Sequence, residues 1–120
     1  MPSHLGEFEQ LILFALLRLG DDAYGVTIRQ EIESRTGRPV SAGAVYTTLG
    51  RLEKRDFVSS RIGESIPQRA GRRRKYYQLE AKGAEVLHSS YERVREMARG
   101  LVPKLAGLAA GPGSSEDLPN

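Results

Sequence analysis

The chain has 120 residues, no cysteine, 18 Lys and Arg against 15 Asp and Glu, and a formal net charge of +3. That length supports one domain with a modest core, plus an appended helix and tail, while the absence of cysteine excludes a disulfide framework, a thiolate metal site and a thiol nucleophile. The longest apolar run, Leu11 to Leu17, falls far short of the ~20 residues of a bilayer span, and no basic stretch ahead of it suggests a secretory leader, so a cytoplasmic protein without membrane contact is expected.

Leu5 to Gly20 reads as a first helix, with Phe8, Leu11, Ile12, Ala15, Leu16 and Leu19 on one face. Leu13, Phe14 and Leu17 occupy the other face, so the helix is apolar nearly all round and needs cover on two sides. One small domain covers one side; a second chain is expected on the other. Gly20, Asp21 and Asp22 turn the chain into a second helix, Ala23 to Thr36, with Tyr24, Ile28 and Ile32 on its inner stripe. Gly37 ends it and Pro39 prevents resumption.

A third helix is expected over Ser41 to Phe57, with Ser41 as N-cap and Ala42, Val45, Leu49 and Leu52 facing inward. Its front carries Gly43, Thr47, Gly50, Arg51 and Lys54, with Tyr46 on the flank. A front of small, hydroxyl and cationic groups lets a backbone approach another surface closely, and a helix N-terminus favours phosphate. Two short helices joined by a tight Gly-containing turn form the helix-turn-helix pattern, whose second helix enters the DNA major groove. Helix hairpins that touch no DNA share that pattern.

After Phe57 the apolar period drops to two, and Phe57–Ile62 and Lys75–Leu79 read as strands joined by a basic loop from Gly63 to Arg74. Residues 61–75 hold six basic groups and one acid. The net charge conceals this segregation: residues 38–75 carry +7, residues 1–37 carry −3 and residues 76–120 carry −1. A basic hairpin directly after a helix-turn-helix describes a wing; the polyanion expected there is nucleic acid, with an anionic membrane surface as the weaker competitor. From Ala81 onward, Ala84, Leu87, Tyr91, Val94, Ala98, Leu101, Leu105 and Leu108 repeat at heptad spacing. Gly100 and Pro103 weaken the far end, and beyond Gly107 no periodicity remains.

These elements define a mainly α fold with a small β-hairpin: a winged helix-turn-helix (α-α-α-β-β-α) over residues 1–79, a dimerisation helix over 80–106 and a disordered tail over 107–120. The sequence resembles the PadR family of winged-helix transcriptional regulators. Leu5-Gly6-x-Phe8-Glu9, Ala23-Tyr24-Gly25-Val26-x-Ile28, Val40-Ser41-x-Gly43-Ala44-Val45-Tyr46-x-x-Leu49-x-Arg51-Leu52-Glu53 and Arg72-Arg73-x-Lys75-Tyr76-Tyr77-x-Leu79 carry the likeness, in order and spacing, over about residues 5–90. The sequence departs from the family pattern at Asp56, where Gly is usual after the third helix, and at Glu80, where Thr usually caps the fourth. The short terminal region looks like that of the smaller subfamily, which the resemblance implies dimerises through that helix and helix one.

The expected function is binding of a palindromic operator by a homodimeric repressor. Thr47 and Arg51 are candidates for base edges; Ser41, Gly43 and Tyr46 for backbone approach and phosphates; Arg72, Arg73, Arg74 and Lys75 for the wing's phosphate or minor-groove contacts. Leu13, Phe14, Leu17, Leu87, Tyr91, Val94, Ala98 and Leu101 are expected at the dimer interface. The resemblance further implies release by a small aromatic or hydrophobic effector, for which Phe8, Tyr91 and Met97 are the candidates here. An RNA-binding or protein-docking winged helix without operator specificity is the alternative. No catalytic residue, cofactor or metal is expected, since His4 and His88 stand apart without Cys, HExxH or a Gly-rich phosphate loop.

Overall fold

Glu9 turns back to accept the Gly6 amide at 3.0 Å, and the first helix starts behind that cap. The computed structural model describes residues 4–64 and 73–116. Its order is α1 (Glu7–Leu19), α2 (Gly25–Thr36), α3 (Ala42–Lys54), β1 (Val58–Ile62), β2 (Lys75–Leu79), α4 (Ala81–Ala98) and α5 (Val102–Glu116). A 3-10 turn, Gly20–Asp22, follows α1. The chain divides into two compact units, Met1–Ser90 and Tyr91–Asn120.

In the first unit, α1 buries Ile12, Leu13, Ala15 and Leu16. Ile28 and Ile32 from α2, Val45, Leu49 and Leu52 from α3, then Leu5, Ala23, Val40, Phe57, Val58, Tyr77 and Leu87 complete the core. Thr48, not Ala42, joins the buried side of α3, while Ala42 is exposed. The helix-turn-helix turn is fastened by side chains: a Glu33 carboxylate oxygen accepts the Val40 amide at 3.0 Å, and the Thr36 hydroxyl accepts the Arg38 amide at 3.1 Å. Ser41 caps α3 as expected, its Oγ accepting the Ala44 amide at 3.1 Å.

Helix α3 closes in a Schellman arrangement. Phe57 N–H donates to the Leu52 carbonyl and Asp56 N–H to the Glu53 carbonyl, each at 3.0 Å, with Asp56 in the left-handed region at φ 62°. Phe57 and Leu52 are both buried beside this turn. The position where the family pattern favours Gly is thus one where the backbone demands it.

The strands pair antiparallel from Val58↔Leu79 to Ile62↔Lys75. A third short edge joins them: Tyr77 N–H donates to the Ala23 carbonyl at 2.9 Å, and Tyr24 bridges Tyr76. That pairing holds Ala23 and Tyr24 extended, so α2 begins at Gly25 and not at Ala23. Helix α4 then starts against β1. A Cβ on Gly83 would meet the Phe57 carbonyl oxygen and lie 2.9 Å from Leu79 Cδ1, so only glycine permits this approach.

Several sequence expectations are corrected here. Leu13 and Leu87, placed at a chain–chain interface by their spacing, are buried in the chain's own core. The inner arc of α1 is wide enough to reach Leu13, and α4 presents Gly83, Leu87 and Ser90 inward, with the buried Ser90 hydroxyl accepting the Leu5 amide at 3.2 Å. For the same reason the first compact unit extends to Ser90 instead of stopping at residue 79.

In the second unit, α4 ends at Ala98 and Gly100 takes φ 75° before α5 begins. Pro103 lies in the first turn of α5, where a missing N–H breaks no helical bond. Helix α5 runs to Glu116 with a break at Gly111 (φ 73°), so the tail without regular structure expected from residue 107 is helical over 107–110 and again beyond the break. Arg95 pairs with Glu92 and Arg99 with Glu96, while Val94, Met97, Leu101, Leu105 and Leu108 are exposed.

Candidate nucleic-acid interface

The front of α3 is open. Ala42, Gly43 and Ala44 make a first turn without bulk, and a Cβ added at Gly43 would meet nothing within 4 Å. Thr47, Arg51 and Lys54 follow on the same exposed side. Three polar groups at helical spacing behind a bare N-terminal turn suit insertion into a groove about 12 Å wide.

Beside this helix, the base of the hairpin forms an open groove of ≈ 440 Å³ lined by Tyr24, Gly25, Val26, Tyr46, Arg73, Arg74 and Lys75. The rings around the base of the hairpin, Tyr24 of the groove and Tyr76 behind it, are organised by contact. Tyr24 and Tyr76 meet edge to face with ring centres 5.5 Å apart; the Arg74 guanidinium stands 4.2 Å from the Tyr24 ring centre and that of Arg61 4.5 Å from Tyr76. Interaction with the Tyr76 hydroxyl raises the Arg74 pKa further, so this cation persists at any working pH. Gly63 N–H donates to the Arg74 carbonyl at 2.7 Å, closing the base of the hairpin. Cations held over aromatic faces, next to the start of α2, are chemically suited to a phosphodiester.

One carboxylate joins this hairpin to α3. Glu53 accepts the Ser60 hydroxyl at 2.6 Å through one oxygen and lies 3.6 Å from Lys75 Nζ through the other. Glu80 does comparable work at the start of α4, accepting from Ser59 (2.5 Å) and Gln78 (3.1 Å). These hydrogen bonds, Ser59's foremost, hold its pKa below the ordinary carboxylate range. Glu80 therefore serves the strands with its side chain and α4 with its carbonyl, which accepts the Ala84 amide at 2.9 Å.

The structure brings Gly43, Tyr46, Thr47 and Arg51 onto one helix, with Tyr46, Arg73, Arg74 and Lys75 around the groove. The Ser41 oxygen is engaged as a cap and Lys75 leans toward Glu53. Arg72 lies outside the described residues. Tyr24 and Val26 line the groove without having been singled out as site residues by spacing; the Ala23-Tyr24-Gly25 tripeptide is their sequence signal. Of the residues expected at a dimer interface, Phe14, Leu17, Tyr91, Val94 and Leu101 are exposed and Ala98 is half-buried. Among the effector candidates, Phe8 packs against the core under the Arg38 guanidinium, 5.0 Å from its ring centre. Tyr91 lines a shallow groove of ≈ 340 Å³ with Arg95, Ala98, Arg99, Gly100 and Val102, and Met97 is exposed on α4. Among the described residues no cluster of acidic, His or Cys side chains could hold a metal, and no helix is long and apolar enough to cross a membrane.

A helix-turn-helix followed by a two-stranded hairpin, with the second helix and the hairpin base exposed, is a winged-helix DNA-binding fold. Residues 13–89 match the transcriptional regulator PadR-like family, and the chain belongs to that family. A PadR family transcription regulator from Clostridium difficile is 27 % identical, with a TM-score of 0.68 over 83 % of this chain and 99 % of that one. A transcriptional regulator from Clostridium thermocellum is 26 % identical, with a TM-score of 0.65 over 80 % of this chain and 86 % of that one. A winged-helix DNA-binding protein from STIV shares the fold at 19 % identity, with a TM-score of 0.63 over 82 % and 98 % of the two chains. No protein of curated function matches by sequence. Members of the family are transcriptional regulators, not enzymes.

Proposed function

We propose that this regulator binds a palindromic DNA operator as a homodimer and represses transcription there. One observation carries the reading: the bare, cationic front of α3 and the Tyr46–Arg73–Arg74 groove belong to the same compact unit. Thr47 and Arg51 read base edges in the major groove, Gly43 admits the backbone, and Tyr46, Arg73 and Arg74 hold phosphates. Arg72, next in sequence, adds to the same cationic run.

Dimerisation is supported by the apolar side chains that stay exposed, Leu17 on α1 and Val94, Leu101, Leu105 and Leu108 in the second unit. Each such side chain left in water forgoes roughly 25 cal/mol per Å² of apolar area. Two-fold symmetry sets the half-sites about 34 Å apart. Phe8, Tyr91 and Met97 stay the candidates for a small hydrophobic effector that releases the DNA.

The test combines light scattering with selection from a randomised duplex pool, followed by footprinting. The expected outcome is a dimer that protects an inverted repeat with one-turn spacing and is monomerised by Leu101→Glu. Recovery of a non-palindromic site, or stronger binding to RNA than to any duplex, overturns the reading in favour of a general nucleic-acid module.

A further inference from the structure

Three neighbouring wing cations behave differently. Arg73 is exposed and makes no ion pair among the described residues, and Arg74 lies over the Tyr24 ring. Lys75 begins β2 on the same side as Tyr77, two residues on, whose ring is buried toward the core. Ser60, the cross-strand partner of Tyr77, shares that side. Both reach one carboxylate, that of Glu53 in the last turn of α3, at 3.6 Å and 2.6 Å. Lys75 Nζ also stands 5.7 Å from the Tyr77 ring centre, consistent with its inward lean.

Non-specific affinity for DNA grows with each phosphate neutralised, because each contact releases condensed counterions whatever the base sequence. A cation beside an opposite charge on its own protein contributes less to that release. Arg51, two residues before Glu53 on α3, is the base-reading candidate, so the carboxylate ties the wing to the helix whose placement decides sequence preference.

From this geometry we infer that Glu53 is a specificity-determining positioning residue: it withholds Lys75 from the DNA backbone and fixes the wing against α3 through Ser60. The inference rests on the DNA-binding reading above. Glu53 thereby lowers affinity for any sequence while preserving the spacing on which the correct sequence depends.

Binding is measured by fluorescence anisotropy against a salt series, using the full chain, a duplex selected from a randomised pool, and a scrambled duplex of equal length. Glu53→Gln keeps an acceptor for Ser60 and removes the charge. It is expected to steepen the log K against log salt slope by about 0.9 per protomer. It should tighten both duplexes by the same factor, since counterion release is blind to sequence, whereas Glu53→Ala, which also removes the acceptor for Ser60, should in addition narrow the selected-to-scrambled ratio several-fold. Lys75→Ala in the wild-type background should flatten the slope far less than Arg73→Ala does, and in the Glu53→Gln background it should cancel the gain. A full unit of flattening from Lys75→Ala alone overturns the inference, since Lys75 would then already sit on phosphate. Persistence of the Glu53→Gln effect without Lys75 overturns it too, by reducing Glu53 to a general repulsive charge. Those two results leave DNA binding intact, whereas no measurable affinity of the wild type for either duplex would bring down both readings.

Discussion

The phenol of Tyr46 rests directly on the backbone of Gly25, so closely that a Cβ at residue 25 would overlap its hydroxyl oxygen and lie 2.5 Å from Cζ. Helix α3 and the first turn of α2 thus share one contact, and the groove that follows exists because residue 25 has no side chain. Tyr46 is 51 % exposed, so it can swing aside when crowded. Gly25→Ala is therefore expected to change the melting temperature little and to weaken DNA binding about tenfold by displacing Tyr46. In a Tyr46→Ala background the same substitution should have no further effect on affinity; an additive loss would show that Gly25 acts by another route.

On the proposed reading, Arg51 and Arg73 divide the work of binding between sequence and charge. Arg51→Ala should cost about 1–3 kcal/mol on the selected duplex and relax base preference at one position of each half-site. Arg73→Ala should weaken selected and scrambled duplexes alike and reduce the salt slope by about 1 per protomer. Equal losses on both duplexes for both variants would overturn this division.

Asp56 holds a left-handed backbone at φ 62° in a position that closes the Schellman turn of α3. An L side chain there is strained by about 1–2 kcal/mol, offset in part by the greater unfolded-state entropy of glycine. Asp56→Gly should raise stability by about 0.5–1 kcal/mol in urea melts without altering DNA affinity.

Gly83 offers the opposite case. Its missing Cβ faces the Phe57 carbonyl, which is backbone fixed in a hydrogen bond from Glu80 N–H and unable to yield as a side-chain end would. Gly83→Ala should destabilise the first unit by about 1–3 kcal/mol. A neutral result in thermal denaturation would mean that α4 shifts along β1 at little cost.

Glu80 gives the acid limb of the stability profile a specific contributor. Its folded pKa is lowered by donation from Ser59 and Gln78, so its stabilisation is complete above the ordinary carboxylate pKa and is lost as pH falls through the depressed folded value. The melting-temperature gap between wild type and Ser59→Ala should accordingly be widest near neutrality and close on acidification below the usual Glu range. A gap that is constant with pH would assign the Ser59 effect to packing instead.

The residue order alone determined the helix-turn-helix, the capped third helix, the hairpin and the concentration of positive charge around it. Those features depend on near neighbours: Ser41 caps three residues ahead, Gly37 stops its own helix, and apolar period separates strand from helix over five or six residues. What the tertiary structure decided was every pairing between distant segments. Leu13 went inward because the core's arc on α1 is wide, Leu87 because α4 approaches β1 through Gly83. Tyr24 became an edge of the sheet because the Tyr77 amide reaches Ala23, and Lys75 was drawn from the hairpin to Glu53 on α3. Spacing says which residues share a face; which surface comes to meet that face is set by packing the whole unit, where one bare glycine or one carboxylate with two partners fixes the outcome.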